Sequence, residues 1–356
     1  MNRMFTLEAT TSGAEVGFLA ALAAGLPAHD FLSERLVVGV SGGADSVSLL
    51  VGLHSLAAAQ GVPPKLIVAH AKHDLREAAA ADAAFVANLA AQLGVSCMVR
   101  DVRVREPDDV RGEGIEGRAR RLRYEFLTAV AREEGARFVV VAHTADDQAE
   151  TILHRILRGT GLTGLAGMAS ARELSDGVAL VRPLLAVPRG VVRGYLESRG
   201  QVWMEDATNA DVRYARNFLR HEILAPCESG PYPAAAASLT RLGSQAAAVA
   251  GAVRSAADHL LATHSHRHAD GTTVLQTQKL AGLDRHLLAE IFVALWHREG
   301  WPRRDMTARH YSQLAAMAAA SADPIAAAPS AIDLPGEVRA RVQAGGMVVG
   351  GITTGR

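Results

Sequence analysis

Between Arg35 and about Gly190, short apolar runs alternate with longer stretches whose apolar residues recur every three or four positions. The short runs are rich in β-branched residues, so 36–41, 65–70, 95–104 and 137–142 read as buried strands. The longer stretches, 46–60, 77–94, 114–135 and 145–158, read as helices. A strand at 178–181 and helices at 188–199 and 214–225 extend the pattern. Strands that alternate with helices predict an α/β fold, a parallel sheet with helices on both faces. Right-handed crossovers then place the strand C-termini on one edge, where ligands bind.

The pattern changes after residue 225. Pro226, Gly230, Pro231 and Pro233 fall close together and predict a linker. Beyond it, helices are expected at 234–263, 279–299 and 306–319, and a small β element at 331–350 that turns at Pro335-Gly336. This is a smaller, mostly helical C-terminal domain. The predicted organisation is a helical extension over 1–34, an α/β domain over 35–228 and the C-terminal domain over 234–356. The alanine-rich stretch 314–331 reads as a solvated helix end and loop.

Composition narrows the class. A chain of 356 residues with 49% hydrophobic content has ample material for two cores, but aromatics are only 4%, so Ala, Leu and Val must fill them. Cys97 and Cys227 form no Cys-x-x-Cys pair, which argues against a disulfide scaffold or a cysteine-rich zinc site. Formal charge is zero, so bulk charge does not predict a nucleic-acid partner, although local patches could serve one. No apolar run reaches membrane-spanning length. Glu8 and Glu15 precede the apolar run Phe18–Ala24 where a leader would carry basic residues, so the run reads as an amphipathic helix and the protein is expected in the cytoplasm.

The chemistry concentrates in three segments on the predicted ligand edge. Ser41-Gly42-Gly43-Ala44-Asp45-Ser46 joins the first strand to the first helix. Its glycines let successive N–H groups converge on one anion, and the two hydroxyls and the helix start add donors. Such a junction binds phosphate. Asp45 beside phosphates requires an intervening cation, for which magnesium is the natural choice. His70 and His143 end the second and fourth strands. After His143, Thr144 is a plausible cap, and Asp147 and Glu150 share one helix face, where paired acids suit a metal or an ammonium group. Arg213, Arg216 and Arg220 recur at helical spacing as a basic stripe suited to a nucleic-acid backbone. His264-Ser265-His266-Arg267-His268 reads as an exposed loop rather than a metal tract.

The string Ser-Gly-Gly-x-Asp-Ser after a buried strand resembles the PP-loop of the N-type ATP pyrophosphatases; no Gly-Lys-Ser/Thr follows as in a Walker loop. Three further runs, Ala142–Met168, Gly117–Leu127 and Thr208–Arg220, are similar in order and spacing to the tRNA(Ile)-lysidine synthetase family. The resemblance spans roughly residues 35–226 and is loose beyond. It implies an adenine nucleotide α-hydrolase-like fold and a ligase that forms a carbon–nitrogen bond. ATP would adenylate the C2 oxygen of the wobble cytidine in the CAU anticodon of tRNA(Ile). Free L-lysine would then displace AMP to give lysidine, switching decoding from AUG to AUA.

On this resemblance Ser41, Gly42, Gly43, Ala44 and Ser46 cradle the ATP phosphates, Asp45 holds Mg2+, and His70 and His143 contact the nucleotide. Arg123 would reach the ATP phosphates or the activated base, and Asp147 and Glu150 the lysine. Arg213, Arg216, Asn217 and Arg220 would contact tRNA, and Trp203, Tyr214, Phe218 and Trp301 are the stacking candidates. A homodimer is compatible. Lys72 and Asp74 stand where the family usually has an acid or asparagine and a glycine, and Asp206-Ala207 lacks its usual proline. Other readings are a different PP-loop tRNA-modifying enzyme, such as a thiolase, or a non-catalytic nucleotide- or tRNA-binding relative. Thiolation is disfavoured by the placement of the two cysteines.

Overall fold

The structure is a computed structural model that describes residues 12–27, 30–73, 79–103, 114–205, 211–303, 305–321, 329–344 and 346–352. It comprises two compact units, one up to Ser244 and one from Gln245. Asp74 and the turn 206–210 lie outside the described residues.

The first unit is built on a six-stranded sheet: β1 (Leu36–Gly39), β2 (Leu66–His73), β3 (Ser96–Val102), β4 (Phe138–Val140), β5 (Ala171–Ser175) and β6 (Val178–Val181). The order is β3-β2-β1-β4-β6-β5. All pairings are parallel except β5 with β6. The hydrophobic pattern does not predict β5. It is a largely exposed, polar edge strand, and its residues show no alternation to betray it.

The helices of this unit are α1 (Gly13–Ala24), α2 (Ala44–Ala59), α3 (Ala79–Gln92), α4 (Ile115–Glu133), α5 (Ala145–Leu157), α6 (Leu162–Leu165), α7 (Arg189–Ser198), α8 (Ala215–Phe218) and α9 (Ala225–Ser229). Strand periodicity sorts the core into two layers. Leu36, Val38, Val68 and Val140 face α1, α2, α3 and α7, whereas Val37, Ile67, Val139 and Leu180 face α4. Helices therefore cover both faces, as the alternating pattern predicted. The α1 helix is part of this core: Phe18 and Leu22 are buried, Phe18 stacks on Tyr195 at 4.1 Å, and a Cβ at Gly52 would come within 2.7 Å of Leu22 and 2.8 Å of Phe18.

Crossovers from β1 run outward to β2 and β3, and the chain then returns to β4 on the other side of β1. The C-terminal ends of β1 and β4 thus flank the topological switch point, where an open α/β sheet forms its ligand crevice. The serine–diglycine hexamer follows β1, and His143 follows β4.

The 30-residue helix α10 (Ala235–His264) runs across the division between the units. From Gln245 on, α11 (Arg285–Glu299) and α12 (Ala308–Ser321) accompany an antiparallel sheet of order β7-β8-β11-β10-β9. Its strands are β7 (Ser265–Arg267), β8 (Thr273–Leu275), β9 (Ala331–Leu334), β10 (Val338–Gln343) and β11 (Gly346–Gly351). The expected small β element is thus enlarged by two strands, and the histidine-rich stretch forms one of them rather than a loop. Only part of the alanine-rich segment is solvated: Leu314, Ala315, Met317 and Ala318 are buried, because small side chains let α12 approach α11 closely. Trp301 packs edge-on against Trp296 in this core and is not an open stacking platform.

Candidate active site

The hexamer makes the sharp turn its sequence predicts. Gly42 has φ +97°, a left-handed conformation that glycine adopts at no steric cost. Gly43 is the N-cap of α2 without a side-chain cap, so the first amides of α2 have no partner within the helix. Ser41 and Ser46 hold the turn together: the Ser41 amide donates to Ser46 Oγ at 3.1 Å, and Ser46 Oγ donates to the Gly43 carbonyl at 3.0 Å. Met204 closes over the turn by donating its amide to the Gly42 carbonyl at 2.9 Å.

Two adjoining cavities open from this turn. The narrower, about 280 Å³, lies over the switch point and is lined by Val40, Ser41, His70, Lys72, Arg123 and His143, among others. The wider, about 1070 Å³, runs past Ser46, Asp147, Arg189, Trp203, Arg216 and Arg220. Asp45, Asp82, Arg123 and His143 line both. His70 is buried and donates Nδ1–H to the Val40 carbonyl at 2.8 Å, which fixes its ring beside β1. Lys72 is salt-bridged to Asp101 at 3.0 Å, so its charge is partly answered on β3.

His143 is uncharged at neutral pH. Burial, with Arg123, Arg182 and Arg120 nearby, lowers its pKa to about 3 against the opposing pull of Asp147. Its buried Nδ1 has no hydrogen-bond partner among the described residues. A neutral imidazole at this edge offers directional hydrogen bonding but is a weak base. On the α4 side, the guanidinium groups of Arg120, Arg123 and Arg172 lie 5.2, 5.5 and 5.3 Å from the Tyr124 ring centre. Burial alone would raise the Tyr124 phenol pKa, but Arg120, Arg123 and Arg182 together bring it down. Of these arginines, Arg123 lines both cavities, where its guanidinium is suited to an anion.

Thr144 and Asp147 form a reciprocal capping box at the start of α5, with Asp147 Oδ2 2.8 Å from the Thr144 amide. Burial opposes ionisation of Asp147, yet Arg189, the Thr144 amide, His143 and Arg220 hold its pKa below the ordinary value. Glu150 is 1% exposed; its Oε1 accepts from Arg220 Nε at 2.7 Å and its Oε2 has no partner among the described residues. Burial outweighs Arg220 and keeps its pKa raised. Burial likewise raises the Asp45 pKa despite Arg189, and the Asp45 Oδ1 is buried without a partner among the described residues.

Sequence reasoning missed Arg189, the first residue of α7. Its Nε lies 3.3 Å from Asp45 Oδ2, one terminal nitrogen 3.1 Å from Asp147 Oδ1 and the other 3.9 Å from Glu150 Oε1. The signal was faint, a lone arginine after Pro188 whose partners are distant in sequence. The basic stripe does not hold as a unit. Arg220 turns to Glu150, whereas Arg213 is exposed and paired with Asp211 at 2.7 Å. Asn217 donates to the Asp211 carbonyl at 3.0 Å, and Arg216 lines the wider cavity. Tyr214 and Phe218 are exposed, while Trp203 packs against the first core.

An open parallel sheet with a serine–diglycine phosphate turn at its switch point defines a nucleotide-binding protein of the PP-loop class. A model of the PP-loop domain matches residues 21–226. The chain is 36% identical over 310 residues to a tRNA(Ile)-lysidine synthase of Rhodopirellula baltica, covering 78% of each. It is 43% identical over 227 residues to that of Ralstonia nicotianae (64% of this chain, 48% of the relative). It is 45% identical over 208 residues to that of Thermus thermophilus (58% and 38%). The chain thus spans most of the first relative but half or less of the other two. It belongs to the tRNA(Ile)-lysidine synthase family. In fold it is similar to the U34-tRNA thiolase NcsA from Methanococcus maripaludis, with a TM-score of 0.53 at 17% identity over 65% of this chain and 79% of the other.

Proposed function

We propose that the protein is a tRNA(Ile)-lysidine synthase: an ATP-consuming ligase that adenylates the C2 oxygen of the wobble cytidine and joins free lysine to C2, releasing pyrophosphate and then AMP. The observation that carries the reading is the pair of adjoining cavities in which the phosphate turn, Arg123 and the carboxylates of Asp45 and Asp147 meet. The chemistry needs each of these. The pyrimidine oxygen leaves only once it carries an adenylyl group, so ATP and base must be held in line.

Ser41, Gly42, Gly43, Ala44 and Ser46 take the phosphates with backbone and hydroxyl donors. Asp45 fits a magnesium ion, because its buried Oδ1 is a hard oxygen donor with no partner among the described residues. When bound, that ion neutralises phosphate charge. Arg123 faces the same cavities and stabilises charge on the reacting phosphate or the activated base. His70 and His143 flank the nucleotide, and His143 acts as a neutral hydrogen-bonding group. Asp147 and Glu150 take the lysine ammonium; Asp147 lines the wider cavity, and the buried Glu150 Oε2 is without a partner among the described residues. Arg213, Arg216 and Asn217 contact the anticodon arm, with Tyr214 and Phe218 as stacking surfaces for splayed bases.

Thiolation finds no support in this chain, whose two cysteines are both free, one on β3 and one on α9. The decisive experiment is mass analysis of the wobble nucleoside after incubation with tRNA(Ile) of CAU anticodon, ATP and lysine. A lysine adduct that depends on all three supports the reading; unchanged cytidine with an active phosphate turn refutes it.

A further inference from the structure

Arg189 sits where the proposed reaction wants a substrate. Its guanidinium spans Asp45, Asp147 and Glu150 at 3.3, 3.1 and 3.9 Å. Asp147 and Glu150 are the acids assigned to lysine, and Asp45 is the acid assigned to magnesium. The Arg189 side chain is 18% exposed and lies in the wall of the wider cavity, beside Ser41, Gly43 and Ser46. Its backbone is pinned, because its amide donates to Asp146 Oδ2 at 2.8 Å. The side chain can therefore swing about a fixed Cα without disturbing α7.

The charge arrangement gives this a purpose. Three carboxylates, Glu150 buried and Asp45 and Asp147 partly exposed, surround one guanidinium and repel one another, and an internal cation makes them tolerable. Arg220 answers only Glu150 closely, at 2.7 Å, and reaches Asp147 at 3.8 Å. A triphosphate in the adjoining turn presents oxygens that a guanidinium binds in bidentate fashion. It therefore competes with the carboxylates for Arg189 from within the same cavity. Once the guanidinium moves to the phosphates, Asp147 Oδ1 keeps only the more distant Arg220 at 3.8 Å among the described residues, and its carboxylate is free to take an ammonium group in the cavity with Glu150 behind it.

We propose that Arg189 is a positioning residue that occupies the ammonium seat at rest and vacates it when the triphosphate binds, so that lysine is admitted only to the nucleotide-loaded protein. This rests on the lysine assignment made above. The coupling prevents lysine from filling the cleft before there is an activated base to attack.

The test is calorimetric titration of lysine into the full chain, with and without magnesium and a non-hydrolysable ATP analogue, for the wild type, Arg189→Gln and Arg189→Lys. In the wild type the analogue should tighten lysine binding at least tenfold, and by linkage lysine should tighten analogue binding by the same factor. Arg189→Gln should bind lysine without nucleotide as tightly as the loaded wild type, and Arg189→Lys should retain the dependence. Wild-type lysine affinity indifferent to the analogue would overturn the proposal without recourse to any variant. So would an Arg189→Gln protein, folded by circular dichroism, whose nucleotide dependence is undiminished. Lysine that binds under no condition removes the lysine assignment and this inference with it, whereas lysine that binds without coupling removes the inference alone.

Discussion

Asp147 Oδ2 accepts from both the amide and the hydroxyl of Thr144, at 2.8 and 3.1 Å, which leaves its other oxygen turned into the cleft toward Arg189. A capping box, ordinarily a device of helix stability, here also aims a functional carboxylate. Thr144→Ala should destabilise the protein by about 1 kcal/mol, the usual worth of a cap. It should also raise the lysine KM severalfold while moving the ATP KM less. Thr144→Ser should restore both. An alanine variant that loses stability but keeps its lysine KM would reduce Thr144 to a cap alone.

The pKa of His143 predicts an acid weakness with a definite sign. In the unfolded chain the ring takes up a proton below its ordinary value of 6.5; in the folded chain it does so only near 3. Between those values the unfolded state binds more protons, so this contribution to stability is lost as pH falls, by up to about 1.4 kcal/mol per unit. Asp45 and Glu150, whose pKa values are raised, contribute with the opposite sign, so the quantity to measure is the difference between wild type and His143→Asn. Urea denaturation from pH 7 to 4 should show that difference growing as pH falls. Parallel curves would mean that His143 is charged in the folded protein.

Asp45→Ala should lower pyrophosphate release a hundredfold or more, roughly the cost of removing one preorganised electrostatic contact. The melting temperature should move by no more than about 4 °C, because the variant deletes a carboxylate that is only half satisfied. Pyrophosphate release measured with and without tRNA, alongside a melting curve, decides this. Retained turnover removes the magnesium role of Asp45.

The phosphate turn is legible in the sequence because all its parts are contiguous: strand, two glycines, hydroxyls and acid occupy one short run. The parallel sheet is legible for the same reason, since each buried strand carries its own apolar run. Arg189 is not legible, because it acts only through Asp45, Asp147 and Glu150, which other elements bring to it. Arg220 is misplaced for a different reason. Spacing of three and four predicts a common face only in an unbroken α-helix, and Leu219–Leu224 form a π-helical turn that changes the phase. The alanine-rich α12 shows how composition misleads: alanine reads as filler, yet it is what permits close packing on α11.

The two arginines that sequence spacing joined, Arg216 and Arg220, should therefore respond differently to substitution. Arg216 lines the open cleft beside the exposed Tyr214 and Phe218, so Arg216→Ala should weaken tRNA binding and reduce its salt slope by about 0.7, the share of one phosphate on a single strand. Arg220 is bonded to the 1%-exposed Glu150 at 2.7 Å. Removing it leaves a buried carboxylate with only the more distant Arg189, which costs about 3 kcal/mol or forces protonation of Glu150. Protonation would abolish the attraction for an ammonium group, so Arg220→Ala should raise the lysine KM most steeply at low pH while its tRNA salt slope stays at the wild-type value. Arg220→Gln keeps a donor for Glu150 without the charge and should fall between the two in stability. Equilibrium tRNA binding across a salt series, paired with lysine kinetics at two pH values, separates the roles. If Arg220→Ala flattens the salt slope as much as Arg216→Ala does, the guanidinium leaves Glu150 for the RNA backbone, and the acid–arginine pair belongs only to the unliganded protein.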